Sequence, residues 1–128
     1  MKIEHLAIWV TDLERSRSFY ERYFGAIAGA KYHNPTKDFA SYFLSFKEGA
    51  RLELMQKPTI AGLADASQEH LGINHFAVAV GSKEKVDALT EELRTDGYLV
   101  VGEPRTTGDG YYESVVLDPE QNRIEITI

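Results

Sequence analysis

The sequence predicts an α+β protein built from two copies of a β-α-β-β-β module, and three internal correspondences carry this prediction. His5 and His75 stand 70 residues apart, each near the start of an apolar stretch typical of a strand. The glycines that end the two predicted helices are 72 residues apart, at Gly25 and Gly97. The segments 51–54 (Arg-Leu-Glu-Leu) and 123–126 (Arg-Ile-Glu-Ile) repeat at the same offset. Matching elements in matching order indicate an internal duplication.

The modules begin with predicted strands at residues 1–10 and 72–80, which share one pattern. Read at period two, each strand has an apolar face suited to packing under a helix and a second face that carries the histidine. The apolar faces are Leu6, Ile8 and Val10 in module one and Phe76, Val78 and Val80 in module two; the histidine faces are Ile3, His5, Ala7 and Trp9, and Ile73, His75, Ala77 and Ala79.

A predicted helix follows each of these strands. Residues 11–14 (Thr-Asp-Leu-Glu) have the capping-box pattern, with Thr11 as the N-cap, and Gly25 ends the first helix. Ser82 caps the second helix, which ends at Gly97.

Each helix leads into a predicted meander of three strands, separated by turn-forming residues. The predicted strands are 26–33, 39–46 and 51–55 in module one, and 99–105, 111–117 and 123–128 in module two. The whole chain, residues 1–128, is predicted to form one domain, with module one at about 1–56, a polar link at about 57–71 and module two at about 72–128.

Composition excludes several classes of function. The formal net charge of −6 and the pI near 5.2, without a basic cluster, argue against nucleic acid or an anionic membrane as a partner. No apolar run is long enough for a transmembrane segment or signal peptide, so a cytoplasmic location is expected. The absence of cysteine excludes disulfides, thiolate metal sites and a cysteine nucleophile.

The last strand of each module places a glutamate on the face that carries the histidine. Leu52 and Leu54 alternate with Glu53, and the isoleucines of residues 123–128 alternate with Glu125. If the modules pair face to face, His5, Glu53, His75 and Glu125 converge in a cleft. A strand histidine or glutamate taken singly is usually a satisfied or solvated side chain, but two matched pairs favour a divalent metal, because buried carboxylates are costly unless paired or metal-bound. Nitrogen and oxygen ligands without sulfur suit Ni²⁺, Co²⁺, Mn²⁺, Fe²⁺ or Zn²⁺.

The duplicated module with these four residues resembles the vicinal oxygen chelate superfamily, and within it glyoxalase I. The resemblance is carried by residues 5–16, 19–20, 24–25, 117–119 and 123–125, and it covers essentially the whole chain. It implies a cup-shaped mixed sheet, one divalent metal per site, and a homodimer whose sites are often formed between subunits. It also implies that Glu125 is the base that moves a proton between adjacent carbons of a hemithioacetal through a metal-stabilised enediolate, and that Glu53 is a second acid or base.

The chain departs from bacterial glyoxalase I at two positions that hold glutathione. Trp9 replaces an arginine four residues after the first ligand histidine, and Lys57 replaces an asparagine four residues after the first ligand glutamate. We therefore expect a small-molecule substrate other than the glutathione adduct. Candidate substrate-binding residues are Trp9, Arg51, Arg123 and Tyr111, the last in a segment at 106–112 that forms either a loop edging the cup or an ordinary hairpin.

Two other classes of function within the same superfamily remain as alternatives. One is a different metalloenzyme of the superfamily: a thiol transferase acting on an epoxide antibiotic, an epimerase, or an extradiol dioxygenase. The other is a metal-free drug-binding protein like the bleomycin resistance proteins, which lack the four ligands. Metal analysis separates the second class from the enzymes, and oxygen uptake identifies the dioxygenase.

Overall fold

The computed structural model describes residues 1–62, 65, 67–68 and 71–128, and the chain divides into two compact units, Met1–Leu63 and Ala64–Ile128. In the first unit the described elements are β1 (His5–Trp9), α1 (Leu13–Phe24), β2 (Ile27–Ala28), β3 (Tyr32–Asn34), β4 (Phe39–Ser45) and β5 (Arg51–Gln56). In the second they are β6 (Phe76–Ala79), α2 (Lys83–Thr95), β7 (Val100–Thr106), β8 (Tyr112–Leu117) and β9 (Arg123–Thr127). The predicted α+β class is confirmed. The predicted link contains the five residues outside the description.

The first unit is a mixed sheet with α1 on one face. Its strands run in the order β1-β5-β4-β2, with β3 beside β4; β1 and β5 are parallel and the other pairs are antiparallel. The helix buries Leu13 and Tyr20, which are at most 1% exposed, and the sheet buries Leu44 and Leu54 completely. This apolar face leaves the opposite face of the sheet to the polar residues of β1 and β5.

The second unit repeats this arrangement. Its strands run in the order β6-β9-β8-β7, with β6 and β9 parallel. Val86 and Leu93 of α2, and Ile124 and Ile126 of β9, are completely buried. Alternation along β9 therefore turns Glu125 to the face away from the buried isoleucines.

The start of α1 differs from the prediction by one residue. The N-cap is Asp12, whose carboxylate accepts a hydrogen bond of 3.0 Å from the Arg15 backbone N–H, whereas the predicted N-cap was Thr11. Asp and Thr are both good caps, and the sequence pattern could not rank two adjacent ones. The predicted cap at Ser82 and the end at Gly25, with φ of 62°, are confirmed.

Two strands near the site also differ in their bounds from the predicted strands. The predicted strand 26–33 is two short strands, because its register with β4 shifts by one residue between them: Ala28 pairs with Leu44, whereas Tyr32 pairs with Ser41. In the second unit pairing begins only at Phe76, so His75 directly precedes β6. Neither helix in the described part of the chain has the length and apolar character needed to span a bilayer.

Candidate metal centre

Each unit brings one histidine to one glutamate across a pair of parallel strands. In the first unit β1 lies beside β5, and His5 Nε2 is 3.9 Å from Glu53 Oε2. In the second unit β6 lies beside β9, and His75 Nε2 is 3.3 Å from Glu125 Oε2. The two pairs have the same chemistry at the same place in the two compact units.

The orientation of the imidazole is also repeated. His5 Nδ1 lies 2.5 Å from a carboxylate oxygen of Glu4, and His75 Nδ1 lies 2.9 Å from the side-chain carbonyl oxygen of Asn74. Because both oxygens are acceptors, the proton belongs on Nδ1, and the lone pair belongs on Nε2, the nitrogen that faces the glutamate. Histidines that ligate metals are commonly held by such a bond from the other ring nitrogen.

Sequence reasoning missed Glu4 and Asn74, although a signal was present. Each is a polar residue directly before the histidine, and the two lie at the same 70-residue offset as the histidines themselves. A polar side chain at that position can fold back onto its neighbour's ring, which is what both do.

The two glutamates are largely buried and the histidines are partly exposed. The side chains of Glu53 and Glu125 are 15% and 17% exposed, against 39% and 42% for His5 and His75. Burial, followed by the negative charge of Glu113 on β8, raises the pKa of Glu125, while His75 acts in the opposite direction. A carboxylate that is both desolvated and close to a second carboxylate is stabilised by a nearby cation.

The donor atoms fit a divalent cation of the predicted kind. Each pair offers an imidazole nitrogen with its lone pair available and a carboxylate oxygen, a mixed set without sulfur. Among the residues described, no group of three or more His, Asp or Glu side chains lies close enough together to hold a metal ion. Each pair therefore supplies two of the four predicted ligands, and the convergence of all four stays a prediction.

Trp9 belongs to an aromatic surface on the histidine face of the first unit. Its side chain is 42% exposed and meets Phe39 edge to face at 6.2 Å between ring centroids. Phe39 in turn contacts Tyr32 at 6.0 Å, and Phe43 meets the His5 ring at 5.2 Å. This surface can stack against an apolar or aromatic part of a ligand.

The two arginines predicted to bind substrate have different surroundings. Arg51 donates through Nε to Glu4 at 2.8 Å and also through Nη2, and its guanidinium lies 4.2 Å from the Phe43 ring centroid. Glu4 therefore engages two of the nitrogens that would grip an anion. Arg123 lines a cavity of about 330 Å³ in the second unit, which Arg105 also lines.

Tyr111 is 61% exposed at the end of a hydrogen-bonded hairpin turn. The backbone N–H of Thr107 bonds to the Tyr111 carbonyl at 2.8 Å, and the N–H of Gly110 bonds to the Thr107 carbonyl at 3.0 Å. Of the two predicted alternatives for residues 106–112, the segment therefore forms the hairpin.

Comparisons with known proteins agree with this architecture. A sequence model described as the Glyoxalase/Bleomycin resistance protein/Dioxygenase superfamily matches residues 2–126. The uncharacterized protein YqjT of Bacillus subtilis (strain 168) is 28% identical over 127 residues, which are 97% of this chain and 96% of that protein.

Solved structures share the fold. A mutant of glyoxalase I from Zea mays has a TM-score of 0.80 and 24% identity, covering 98% of this chain but only 44% of the maize chain. A structure called a possible glyoxalase from Bacillus cereus has a TM-score of 0.73 and 28% identity, covering 100% of this chain and 99% of that one. This chain thus matches the Bacillus cereus protein over its whole length and less than half of the maize enzyme.

Proposed function

Because this chain belongs to the Glyoxalase/Bleomycin resistance protein/Dioxygenase superfamily, we propose that it is a divalent-metal-dependent lyase or isomerase of the glyoxalase I type. Its substrate would be a small molecule that chelates through two oxygen atoms, such as a hemithioacetal. The observation that carries the proposal is the repeated His–Glu pair, with Nδ1 of each imidazole held by the preceding side chain and Nε2 turned to the glutamate.

In this proposal His5, Glu53, His75 and Glu125 are the four metal ligands. The mixed nitrogen and oxygen set is compatible with Ni²⁺, Co²⁺, Zn²⁺, Mn²⁺ or Fe²⁺. Glu4 and Asn74 keep the two imidazoles in the tautomer and orientation that ligation needs.

The bound cation would polarise the substrate oxygens and so acidify the neighbouring C–H bond. Glu125 then serves as the base that takes the proton from one carbon and returns it to the adjacent one. Its position supports this role, because burial and Glu113 raise the pKa of Glu125 and so strengthen it as a base. Glu53, the corresponding residue of the first unit, is the second acid or base.

The proposed substrate is not the glutathione adduct. An indole at position 9 cannot make the paired hydrogen bonds to a carboxylate that a guanidinium makes. Trp9 instead contributes to the aromatic surface with Phe39 and Tyr32, which suits a thiol or carbonyl compound with an apolar part.

The proposed partner is a second copy of this chain. Strands β1 and β6 are edge strands of their sheets. They are preceded by Ile3 and Ile73, isoleucines at matching positions that are 76% and 74% exposed. Exposed strand edges and apolar side chains are commonly covered by association.

The test combines metal analysis with turnover of hemithioacetals made from several thiols. Purified protein should bind one divalent cation per chain, and Glu125→Gln should lower turnover by roughly 10²–10⁴-fold while part of the metal stays bound. Glu48→Gln, in an exposed turn of the first unit, is the matched control and should change neither property.

Four outcomes would contradict the proposal in whole or in part. Protein that binds no divalent cation would be a metal-free binding protein, and substrate-dependent oxygen uptake would indicate a dioxygenase. Full activity of Glu125→Gln would exclude the assigned base. A kcat/KM for the glutathione adduct of roughly 10⁶ M⁻¹s⁻¹ or more, typical of efficient enzymes, would refute the substrate assignment alone.

A further inference from the structure

The second unit has a cavity on the same face as Glu125, formed where β7 departs from regular pairing. The register between β7 and β8 shifts on both sides of Gly102, which pairs with Val115. Val115 is in turn the register partner of Glu125 on β9. The cavity, of about 330 Å³, is lined by Val101, Gly102, Glu103, Arg105, Val115 and Arg123.

Glycine at position 102 keeps the cavity open. A Cβ there would lie 3.1 Å from Val115 Cγ2 and 3.3 Å from Arg105 Nη1, tighter than ordinary van der Waals contact. The same distances place a guanidinium nitrogen of Arg105 directly beside the glycine. The floor is therefore apolar, made by Gly102 and the valines, with an arginine nitrogen at its side.

The lining of the cavity carries two guanidinium groups, of Arg105 and Arg123, and one carboxylate, of Glu103. Arg105 is oriented by Glu113, whose carboxylate is 11% exposed and accepts from Nη2 at 3.3 Å, while Nη1 lies on the Gly102 side. Arg123 is two residues before Glu125 on the same face of β9, roughly 7 Å along the strand. Glu103, the acidic residue of the lining, is bonded to Arg94 at 2.7 Å, which offsets its charge.

We propose that this cavity binds a carboxylate group of the substrate, held by Arg105 and Arg123, with the short carbon chain that bears it lying on Val101, Gly102 and Val115. Guanidinium groups match the planar geometry of a carboxylate and bind it through paired, charge-assisted hydrogen bonds. The inference rests on the proposed function in one respect: the reacting carbons lie beside Glu125. The substrate class is then a small carboxylic acid that also carries the two chelating oxygens.

The experiment uses metal-free, chelator-treated protein, so that it does not depend on the metal proposal. Succinate is the probe, and uncharged succinamide and inorganic phosphate are the comparison ligands. Binding is followed by the backbone amide signals of Gly102 and Val115 in ¹⁵N–¹H NMR spectra. We expect succinate to shift both signals saturably and to bind at least about tenfold more tightly than succinamide, the scale of one charge-assisted hydrogen bond.

Variants test each part of the cavity. Arg123→Gln and Arg105→Gln should each weaken succinate binding about tenfold or more, and Arg105→Lys should recover part of the loss. Gly102→Val should abolish binding, because its side chain would fill the cavity and press on Arg105. Arg22→Gln, an exposed arginine of the first unit, is the matched control. Thermal unfolding checks the fold, and since Arg105 holds Glu113, Arg123→Gln is decisive if Arg105→Gln proves unstable.

Each result supports or overturns the proposal. Equal binding of succinate and succinamide, no binding of succinate, or unchanged affinity in Arg123→Gln and Gly102→Val would overturn it. Tighter binding of phosphate than of succinate would overturn the assignment to carboxylates. If the protein binds succinate but never takes up a divalent cation, the carboxylate site is supported and the proposed metalloenzyme is refuted. If it takes up metal but does not bind succinate, the carboxylate site is refuted and the proposed metalloenzyme is not.

Discussion

At the scale of single residues, the imidazoles are oriented by the side chains directly before them. Glu4 accepts from His5 Nδ1 and also from Arg51, whereas Asn74 accepts from His75 Nδ1 alone among the bonds described here. The first histidine is thus held through a charged network and the second through a neutral amide. The Arg51 contacts and the hydrogen bond from His5 both lower the pKa of Glu4, the His5 bond most.

Removing the acceptor side chain of Glu4 or Asn74 should weaken metal binding without removing a metal ligand. We expect Asn74→Leu and Glu4→Leu each to lower the affinity for a divalent cation by roughly 10–100-fold, because the imidazole loses the bond that fixes its tautomer and direction. Calorimetric titration with Ni²⁺ or Zn²⁺ measures the change in affinity. The control is Glu48→Leu, in an exposed turn. Asn122→Leu is unsuitable as a control, because Asn122 bonds to Asp118. Unchanged affinity in both variants would argue against ligation through Nε2.

Glu14 links the first turn of α1 to the sheet and makes stability depend on pH. Its carboxylate accepts from Lys31 at 3.1 Å and from the Tyr42 hydroxyl at 3.0 Å. The Lys31 bond is the largest cause, and the Tyr42 bond a further one, of a lowered pKa of Glu14 in the folded protein. A carboxyl whose folded pKa is lowered stabilises the fold above its unfolded value of 4.5, and this contribution is lost as pH falls through the lower folded value.

Glu14→Gln should therefore destabilise the protein at pH 7, and the difference from the wild type should shrink as the pH falls below 4.5. Thermal unfolding midpoints of both proteins between pH 7 and pH 3 measure this. The pH-dependent difference should be smaller in a Lys31→Met background, since the main cause of the shift is then absent. A difference that grows on acidification would contradict the assignment.

At the scale of elements, the sequence predicted the types and the order of the helices and strands better than it predicted where they begin and end. Alternation along β5 and β9 placed Leu52, Leu54, Ile124 and Ile126 in the cores correctly, because burial of one face dominates the energetics of a strand. The split between β2 and β3 and the late start of β6 were not predicted, because both depend on how each strand pairs with its neighbour. Such pairing is a tertiary property that periodicity does not encode.

The N-cap of α1 offers a direct test of one such boundary. Asp12→Ala should cost roughly 1 kcal/mol of stability, because the Arg15 N–H loses its acceptor and the helix loses a negative charge at its N-terminus. Thr11→Ala should cost distinctly less, since Thr11 is not the cap. Urea unfolding of the two variants measures the difference. Equal or reversed costs would restore the capping box of the sequence prediction.

At the scale of the whole molecule, strand alternation predicted that each histidine shares a face with its glutamate, but not which strands lie side by side. The parallel neighbours β1–β5 and β6–β9, which bring each pair together, are known from the structure alone. The cavity at Gly102 was not predicted, although Gly102 and Pro104 inside β7 are residue types that commonly mark irregular pairing. Arg123 was singled out only by its place beside Glu125.

If the protein is a homodimer whose cation sites each combine the first unit of one subunit with the second unit of the other, mixed dimers of His5→Ala and His75→Ala will regain function. One of the two sites then carries both substitutions and the other carries neither. We expect each variant alone to bind little metal and the refolded mixture to recover up to about one cation per mixed dimer, because four ligands hold a cation far better than three. Light scattering should give the mass of a dimer for the wild type, twice the 14.4 kDa of the chain. A monomer would refute the assembly, and a dimer whose mixture stays empty would place each complete ligand set within one chain.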